Sequence, residues 1–542
     1  MRKLAVSVMA MVFALSFALC AYAADAPSEK AVVAKGDTKI TIGGTIEFRG
    51  EYTRNRYNQI NDDAKLASRT IDNPFGFTTP ATYDRILDAD DHEAYYEGQL
   101  NLNLDVQVSD SVQGYIELQS GDGRNADTWL WGNTVDATYS PTGEIISGTG
   151  ATGIYNSGNS KAGIISIRQA WIKYEKPLYG IKVGHQLLTI GNGLFLDHSQ
   201  FGDDAIVVFV NPAKDFRVSA VTAKFREGTG QTGVTAQVNT YNVNARIVSP
   251  YNSANGTAQA NDADAYALLA TYSGNDFNVS GDITVFNDQA VYANAPVTDG
   301  PTFTDSMQLW NFGLRGDGKI GPVTLRGDLE LQAGKYNNHQ PGQSGGRFRG
   351  WAALVGLDYY IGPVKLTGEF AYGSGKAGDD TGTDITQFVT TLGNDLHYTY
   401  VYEYRTRAAS GVVSSGLSNT VYVKGGANVE ITKTISAETY LYWLNAAKPV
   451  ALNDTGGFIN GVPYVPNYSR ELGWELDAKV TYKFAKNLKY WVEGGYFWTG
   501  SAYNYRTEET TFTDPTGQSS FNKYAYSRNN AYAVRHGISL QF

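Results

Sequence analysis

Tyr532-Ala533-Val534-Arg535-His536-Gly537-Ile538-Ser539-Leu540-Gln541-Phe542 closes the chain. Its large apolar side chains, Tyr532, Val534, Ile538, Leu540 and Phe542, fall on alternate positions. Between them lie Ala533, Arg535, Gly537, Ser539 and Gln541. A period of two gives a strand with one greasy face and one polar face. Working back through the chain, the pattern recurs. Tyr96, Leu100, Leu102, Leu104 and Val106 alternate with Glu97, Gln99, Asn101, Asn103, Asp105 and Gln107. Leu472, Trp474, Leu476, Ala478, Val480, Tyr482 and Phe484 alternate with Glu471, Glu475, Asp477, Lys479, Thr481 and Lys483.

Single strands of this kind also build soluble sandwiches. The set is what discriminates. Tight-turn signals stand at Ser109-Asp110-Ser111, Lys176-Pro177-Leu178, Asn211-Pro212-Ala213-Lys214 and Gly274-Asn275-Asp276. They continue at Gly318-Lys319-Ile320-Gly321-Pro322, Ile361-Gly362-Pro363, Thr432-Lys433-Thr434 and Ala485-Lys486-Asn487. Each joins two plausible strands, and many of these strands exceed the usual five or six residues. With a first strand near Lys39–Arg54 and a last one ending at Phe542, the count is about 18, an even number with both ends on one side. The expected fold is all-β: a transmembrane, antiparallel, up-and-down barrel with short periplasmic turns and long extracellular loops. Lipid outside and water inside suit strands with an apolar outer face. The stretch Gly228–Ser249 is read as loop, because parity then needs no adjustment.

Residues 1–23 read as a secretory signal: Arg2 and Lys3, an apolar run over Leu4–Leu19, and the small-x-small site Ala21-Tyr22-Ala23. Residues 24–37 would form a short periplasmic segment and 38–542 the barrel. Only that short segment precedes the first strand, which leaves no room for a plug domain. Cys20 is the one cysteine and would leave with the signal. Disulfides, thiolate metal sites and CxxCH haem attachment are then excluded, and no cofactor is implied. A net charge of −10 disfavours nucleic acid as a partner. No catalytic motif emerges, so no enzyme is read. Acidic clusters at Asp88–Asp91, Gly202-Asp203-Asp204 and Gly378-Asp379-Asp380 lack EF-hand spacing and read as solvated loop charge rather than calcium sites.

The expected partners are outer-membrane lipid and small hydrophilic solutes or ions, with a homo-oligomer left open. The expected activity is passive diffusion through a mildly cation-leaning pore in the outer membrane of a Gram-negative bacterium. Two alternatives stand beside it: a substrate-specific transporter, and a surface interaction protein that the barrel merely anchors. The residues expected to line the pore are Arg49, Glu97, Arg326, Glu330, Glu475, Lys479 and Arg535. Many such charges are expected to neutralise one another across neighbouring strands.

The segment Ile167-Arg168-Gln169-Ala170-Trp171-Ile172-Lys173-Tyr174, followed by Ile181-Lys182-Val183-Gly184-His185-Gln186 and Gly191-Asn192-Gly193-Leu194-Phe195-Leu196-Asp197, resembles a hairpin of the alginate export family of outer-membrane proteins. The resemblance covers residues 164–204 and implies an 18-stranded barrel. It departs from the family at His185, which stands in place of an arginine. The polar faces are also mixed and lean acidic, whereas a polyanion needs a basic pore. The architecture is therefore carried over and the substrate is not. The same resemblance singles out the hairpin ending in Gly191–Asp204, with His185, Asp197, His198, Asp203 and Asp204 at or just above the narrow zone. Its two histidines would confer a pH dependence near ~6.5. The other reading has this hairpin cap a strand pair while the longer Asp122–Gly163 or Gly375–Ser415 connection narrows the lumen.

Overall fold

A computed structural model describes residues 31–35, 38–55, 92–121, 129–130, 138–139, 145–147, 164–190, 193–199, 202–226, 263–288, 306–337, 345–377, 380, 382–392, 398–403, 416–450, 458–459, 462–466, 468–507, 510–513, 519–522, 525–526 and 529–542. The signal reading, the stretch Gly228–Ser249, the cluster Asp88–Asp91 and most of Asp122–Gly163 lie outside the described residues.

Eighteen long strands form one closed antiparallel sheet. They are β1 (Thr38–Arg54), β2 (His92–Ser109), β3 (Val112–Gly121), β4 (Ile164–Glu175), β5 (Tyr179–Gln186) and β6 (Asp203–Ala213). Next come β7 (Phe216–Arg226), β8 (Ala263–Ser273), β9 (Phe277–Asp288), β10 (Ser306–Ile320), β11 (Val323–Asn337) and β12 (Trp351–Ile361). The last are β13 (Val364–Gly373), β14 (Thr420–Glu430), β15 (Ile435–Val450), β16 (Ser469–Ala485), β17 (Leu488–Thr499) and β18 (Ala531–Gln541). Each pairs with its neighbours in chain order, and β18 returns to β1 from Thr45↔Gln541 to Arg54↔Tyr532. Closure leaves no long edge strand. Phe542 completes the seam: Gly44 N–H donates to its carbonyl at 2.9 Å, and Phe542 N–H donates to the Gly44 carbonyl at 3.1 Å.

The expected turns are where the sequence puts them, with two displacements: β10 runs on through Gly318 to Ile320, so its turn is confined to Gly321-Pro322. β6 continues through Pro212 to Ala213 with a register shift, so its turn falls at Lys214–Asp215. Ahead of β1, Ala31–Lys35 folds back on Thr38–Ile42 as a short extra strand.

The wall is inverted relative to a soluble core. Ile181, Val183, Ile206, Val208, Leu268, Ile283, Leu314, Val355 and Phe370 are exposed on the outside. Glu117, Gln169, Asp282, Asn311, Glu330 and Asp358 are buried on the inside. Aromatics gather at both margins of the apolar belt, as lipid interfaces favour. Tyr179, Tyr272, Phe277, Tyr359 and Phe542 lie toward the short turns; Tyr96, Trp351, Trp474 and Trp498 lie toward the long connections.

Two of the register shifts change which side chains face inward. At Arg168 the β3–β4 register slips, and Arg168 and Gln169 both reach Glu117 on the inner face. At Gly473 φ is 137° and a Cβ would lie 2.0 Å from the Trp498 carbonyl oxygen, so only glycine fits. Beyond it Leu472 turns inward and Glu471 turns outward, correcting the expectation that Glu471 faces the lumen.

Candidate functional site in the barrel lumen

Among the described residues, two connections fold into the barrel from its long-loop end. One follows β13. Ser374 Oγ donates to the Thr386 carbonyl at 2.8 Å and accepts the Trp351 N–H at 2.8 Å. Gln332 holds Val389 from both sides: Val389 N–H donates to Gln332 Oε1 at 2.9 Å and Gln332 Nε2 donates to the Val389 carbonyl at 2.6 Å. Further along, Val401 and Tyr402 N–H donate to the two Glu475 carboxylate oxygens at 2.6 and 2.7 Å, and Tyr400 N–H donates to Asp477 at 3.1 Å. Residues 374–377, 382–392 and 398–403 thus form a strap anchored on the inner face of β11 at one end and of β16 at the other.

The second connection is the β5–β6 hairpin. Thr189–Ile190 pairs with Leu196–Asp197, and Leu196–Asp197 pairs in parallel with Thr391–Leu392 of the strap. The hairpin and the strap spring from strands well separated around the sheet, so this three-stranded patch joins distant parts of the wall across the lumen. The hairpin and the described part of Gly375–Ser415 thus meet in one patch.

The strap needs an apolar seat. Ile385, Phe388, Val401 and Tyr402 pack with Leu309, Ala352, Ala371, Tyr422, Tyr442 and Phe497 of the wall, and Phe195 and Leu196 join the same cluster. The inner face is accordingly apolar where the strap sits and polar elsewhere, a departure from a uniformly polar interior. Apolar burial stabilises by roughly 25 cal/mol per Å², which offsets the ordering of a long connection.

Below the strap, cross-strand register sorts charges into rows of alternating sign. One row runs Glu438↔Lys479↔Glu493↔Arg535↔Glu51 across β15, β16, β17, β18 and β1. Lys479 Nζ lies 2.9 Å from Glu493, and Arg535 Nε donates to the same carboxylate at 2.8 Å. A second row contains Arg326, Glu369, Lys424 and Glu475. Arg326 bridges Asp358 at 2.8 Å and Glu369 at 2.5 Å, and Tyr422 Oη donates to Glu369 at 2.7 Å. Arg49 meets Glu97 at 2.8 Å and Glu47 at 3.6 Å. On β9–β11 the balance tips acidic: Arg315 bonds Asp282 and lies 3.7 Å from Glu330, with Asp328 on the same face. Water reaches this wall, since the Lys479 side chain is 37% exposed.

The residues singled out by sequence divide three ways. Arg49, Glu97, Arg326, Glu330, Lys479 and Arg535 are on the inner wall. Glu475 is there too, fully buried as the strap's anchor rather than open to the lumen. Asp197, His198 and Asp203 belong to the inward hairpin. His198 Nδ1 lies 2.8 Å from Asp203 and both are buried; Asp197 accepts the Ser199 N–H at 2.9 Å. His185 and Asp204 do not join them. They pair with each other at 3.0 Å, in register, on the face that carries Val183 and Ile206. Strand alternation puts them on the outer wall, which corrects their placement at the narrow zone; Asp203 and Asp204 point to opposite faces. Asp282, Asp358, Arg168 and Arg315 are further inner charges among the described residues. Their alternation with neighbouring apolar residues marks all but Arg168, which the bulge puts out of step.

This division carries an expected result. The Asp197→Asn/Asp203→Asn variant changes single-channel conductance or ion preference, and Asp204→Asn changes neither. Equal effects of the two in a planar bilayer would put both sets on one face and contradict the register.

No family model and no curated protein matches the chain. Among solved structures the chain is similar to the outer membrane protein OpdK of Pseudomonas aeruginosa, at 8% identity over 92% of this chain and 98% of that one, with a TM-score of 0.45. It is also similar to OccAB1 of Acinetobacter baumannii, at 11% identity over 92% and 97%, with a TM-score of 0.46. OmpT, an outer membrane protein of Vibrio cholerae, aligns at 10% identity over 94% and 99%, with a TM-score of 0.35.

Proposed function

We propose that this chain forms a channel in the outer membrane of a Gram-negative bacterium, exported there by the signal at residues 1–23. Small hydrophilic solutes or ions diffuse through it passively, with a mild preference for cations. The observation that carries this reading is the inverted wall: an apolar belt with aromatic margins outside, and rows of hydrated charges inside. The strap and the hairpin narrow the lumen without removing the charged rows below them. The cation preference follows from the β9–β11 wall, where Asp282 and Glu330 share Arg315 and Asp328 lies in register with it.

Export of a polyanion fits less well. The resemblance of Ile167–Asp197 to the alginate export hairpin agrees in strand count, but the rows interleave carboxylates with bases rather than presenting a basic ladder.

Reversal potentials under a salt gradient test the reading. The wild type is expected to favour cations. Lys479→Gln removes a half-exposed inner cation while Arg535 still pairs Glu493, so its preference is expected to move further toward cations. A unit charge acting at about 4 Å through water is worth about 1 kcal/mol, which bounds the change in permeability ratio at about fivefold. Anion selectivity of the wild type would reject the charge assignment, and no conductance at all would reject the channel.

A further inference from the structure

The outer wall is apolar until its rim near the long connections, where register brings polar residues level on successive strands. His185↔Asp204↔Lys224↔Asp264↔Asn287↔Gln308↔Lys335↔Arg347 is one continuous row from β5 to the short strand Gly346–Arg347. The first part is internally neutralised: His185 meets Asp204 and Lys224 meets Asp264, each at 3.0 Å. The far end is different. Lys335 and Arg347 stand directly opposite each other and are exposed, while Tyr336 and Phe348 beside them turn inward and pack at 6.1 Å. Among the described residues neither side chain has a hydrogen-bond or ion-pair partner. Like charges directly opposite across strands destabilise a sheet. Arg349, on the same face, adds a third cation and is countered by Asp384 at 3.1 Å. One rung in from Lys335 lies Ala333 beside Trp310, and next comes Leu331 beside the exposed Trp351, which stacks on Tyr372 at 4.6 Å. The unneutralised cations therefore sit immediately above an aromatic margin, at the depth of lipid headgroups.

We infer that Lys335 and Arg347 form a docking site for a phosphate group of an outer-leaflet glycolipid, whose acyl chains lie along Leu331, Trp351 and Val355. A phosphate at this height offsets the repulsion between the two cations and accepts hydrogen bonds from both. Its acyl chains meet the apolar belt directly below. The inference rests on the membrane-barrel reading, because only a lipid-facing wall presents this pair to a headgroup.

The test uses the full-length barrel in phosphatidylcholine nanodiscs, titrated with fluorescent bisphosphorylated lipid A. The wild type is expected to bind at least about tenfold more tightly than Lys335→Gln/Arg347→Gln, because the variant presents no cation to the phosphate. Lipid A stripped of both phosphates is expected to bind wild type and variant alike, and inorganic phosphate is expected not to compete. Both proteins should conduct equally in a planar bilayer, since neither residue faces the lumen. Equal lipid A binding by an inserted, conducting variant would overturn this inference alone. So would full competition by inorganic phosphate, which would mark a site for a free anion. Failure of the wild type to insert would overturn the barrel reading and this inference with it.

Discussion

Replacing Glu475 with alanine is expected to free the strap from the β16 wall and raise single-channel conductance while the barrel stays closed. Glu475 is fully buried and takes the N–H groups of Val401 and Tyr402 on its two oxygens. Removing it orphans two buried donors at about 1–3 kcal/mol each, so the anchored state loses about 2–6 kcal/mol. The barrel itself keeps its ladder, because Glu475 pairs with Tyr442 and Phe497 through backbone alone. Glu475→Gln, with one accepting oxygen left, should fall between the two. The decisive readings are conductance and the heat resistance of the folded band on a gel. An unchanged conductance, with the amides of residues 400–402 still protected from exchange, would show that the strap is held by its apolar seat.

The second large effect is expected on the opposite face. Leu314 lies in the middle of β10, is 57% exposed on the belt, and pairs with Leu329. Arginine there faces hydrocarbon, and the cost at the midplane is about 2–4 kcal/mol. Ser219, on the lumen side of β7 beside Phe209 and Leu269, gives the comparison. Ser219→Arg should leave the urea midpoint in lipid vesicles near that of the wild type and shift ion preference away from cations. If the two arginines cost the same, the wall would not have the inside-out polarity described above.

The strands were legible in the sequence because each carries its own two-residue period, and the Gly-Pro and Asn-Asp turns punctuate them. The same period could have placed His185 and Asp204: counting from Val183 and from Ile206 puts both outside. Their expected place at the narrow zone rests on the family resemblance, which singles out the hairpin as a whole and carries no account of which face each residue takes. The bulges at Arg168 and Gly473 were not legible, since one extra residue reverses the faces beyond it without leaving a compositional mark. Nor was the strap. Its hold on Gln332 and Glu475, and the meeting of Thr391–Leu392 with Leu196–Asp197, join positions far apart in the chain. Local periodicity records nothing of such contacts.

The seam between β1 and β18 sets the order of events in folding. Asn55 Nδ2 donates to the Asn530 carbonyl at 2.7 Å, from 475 positions away along the chain. β1 can pair on one side with β2 early, and Ala31–Lys35 covers the start of its other edge, but from Thr45 onward that edge has no partner until the last strand has been made. The entropy of joining ends so distant weighs on the rate of closure more than on the stability of the finished ring. Until that step, a row of backbone donors and acceptors between Thr45 and Arg54 is open to any strand that reaches it. A chain cut short before Ala531 retains that open edge permanently, so the hazard it presents is mispairing with a neighbour rather than a merely weaker barrel.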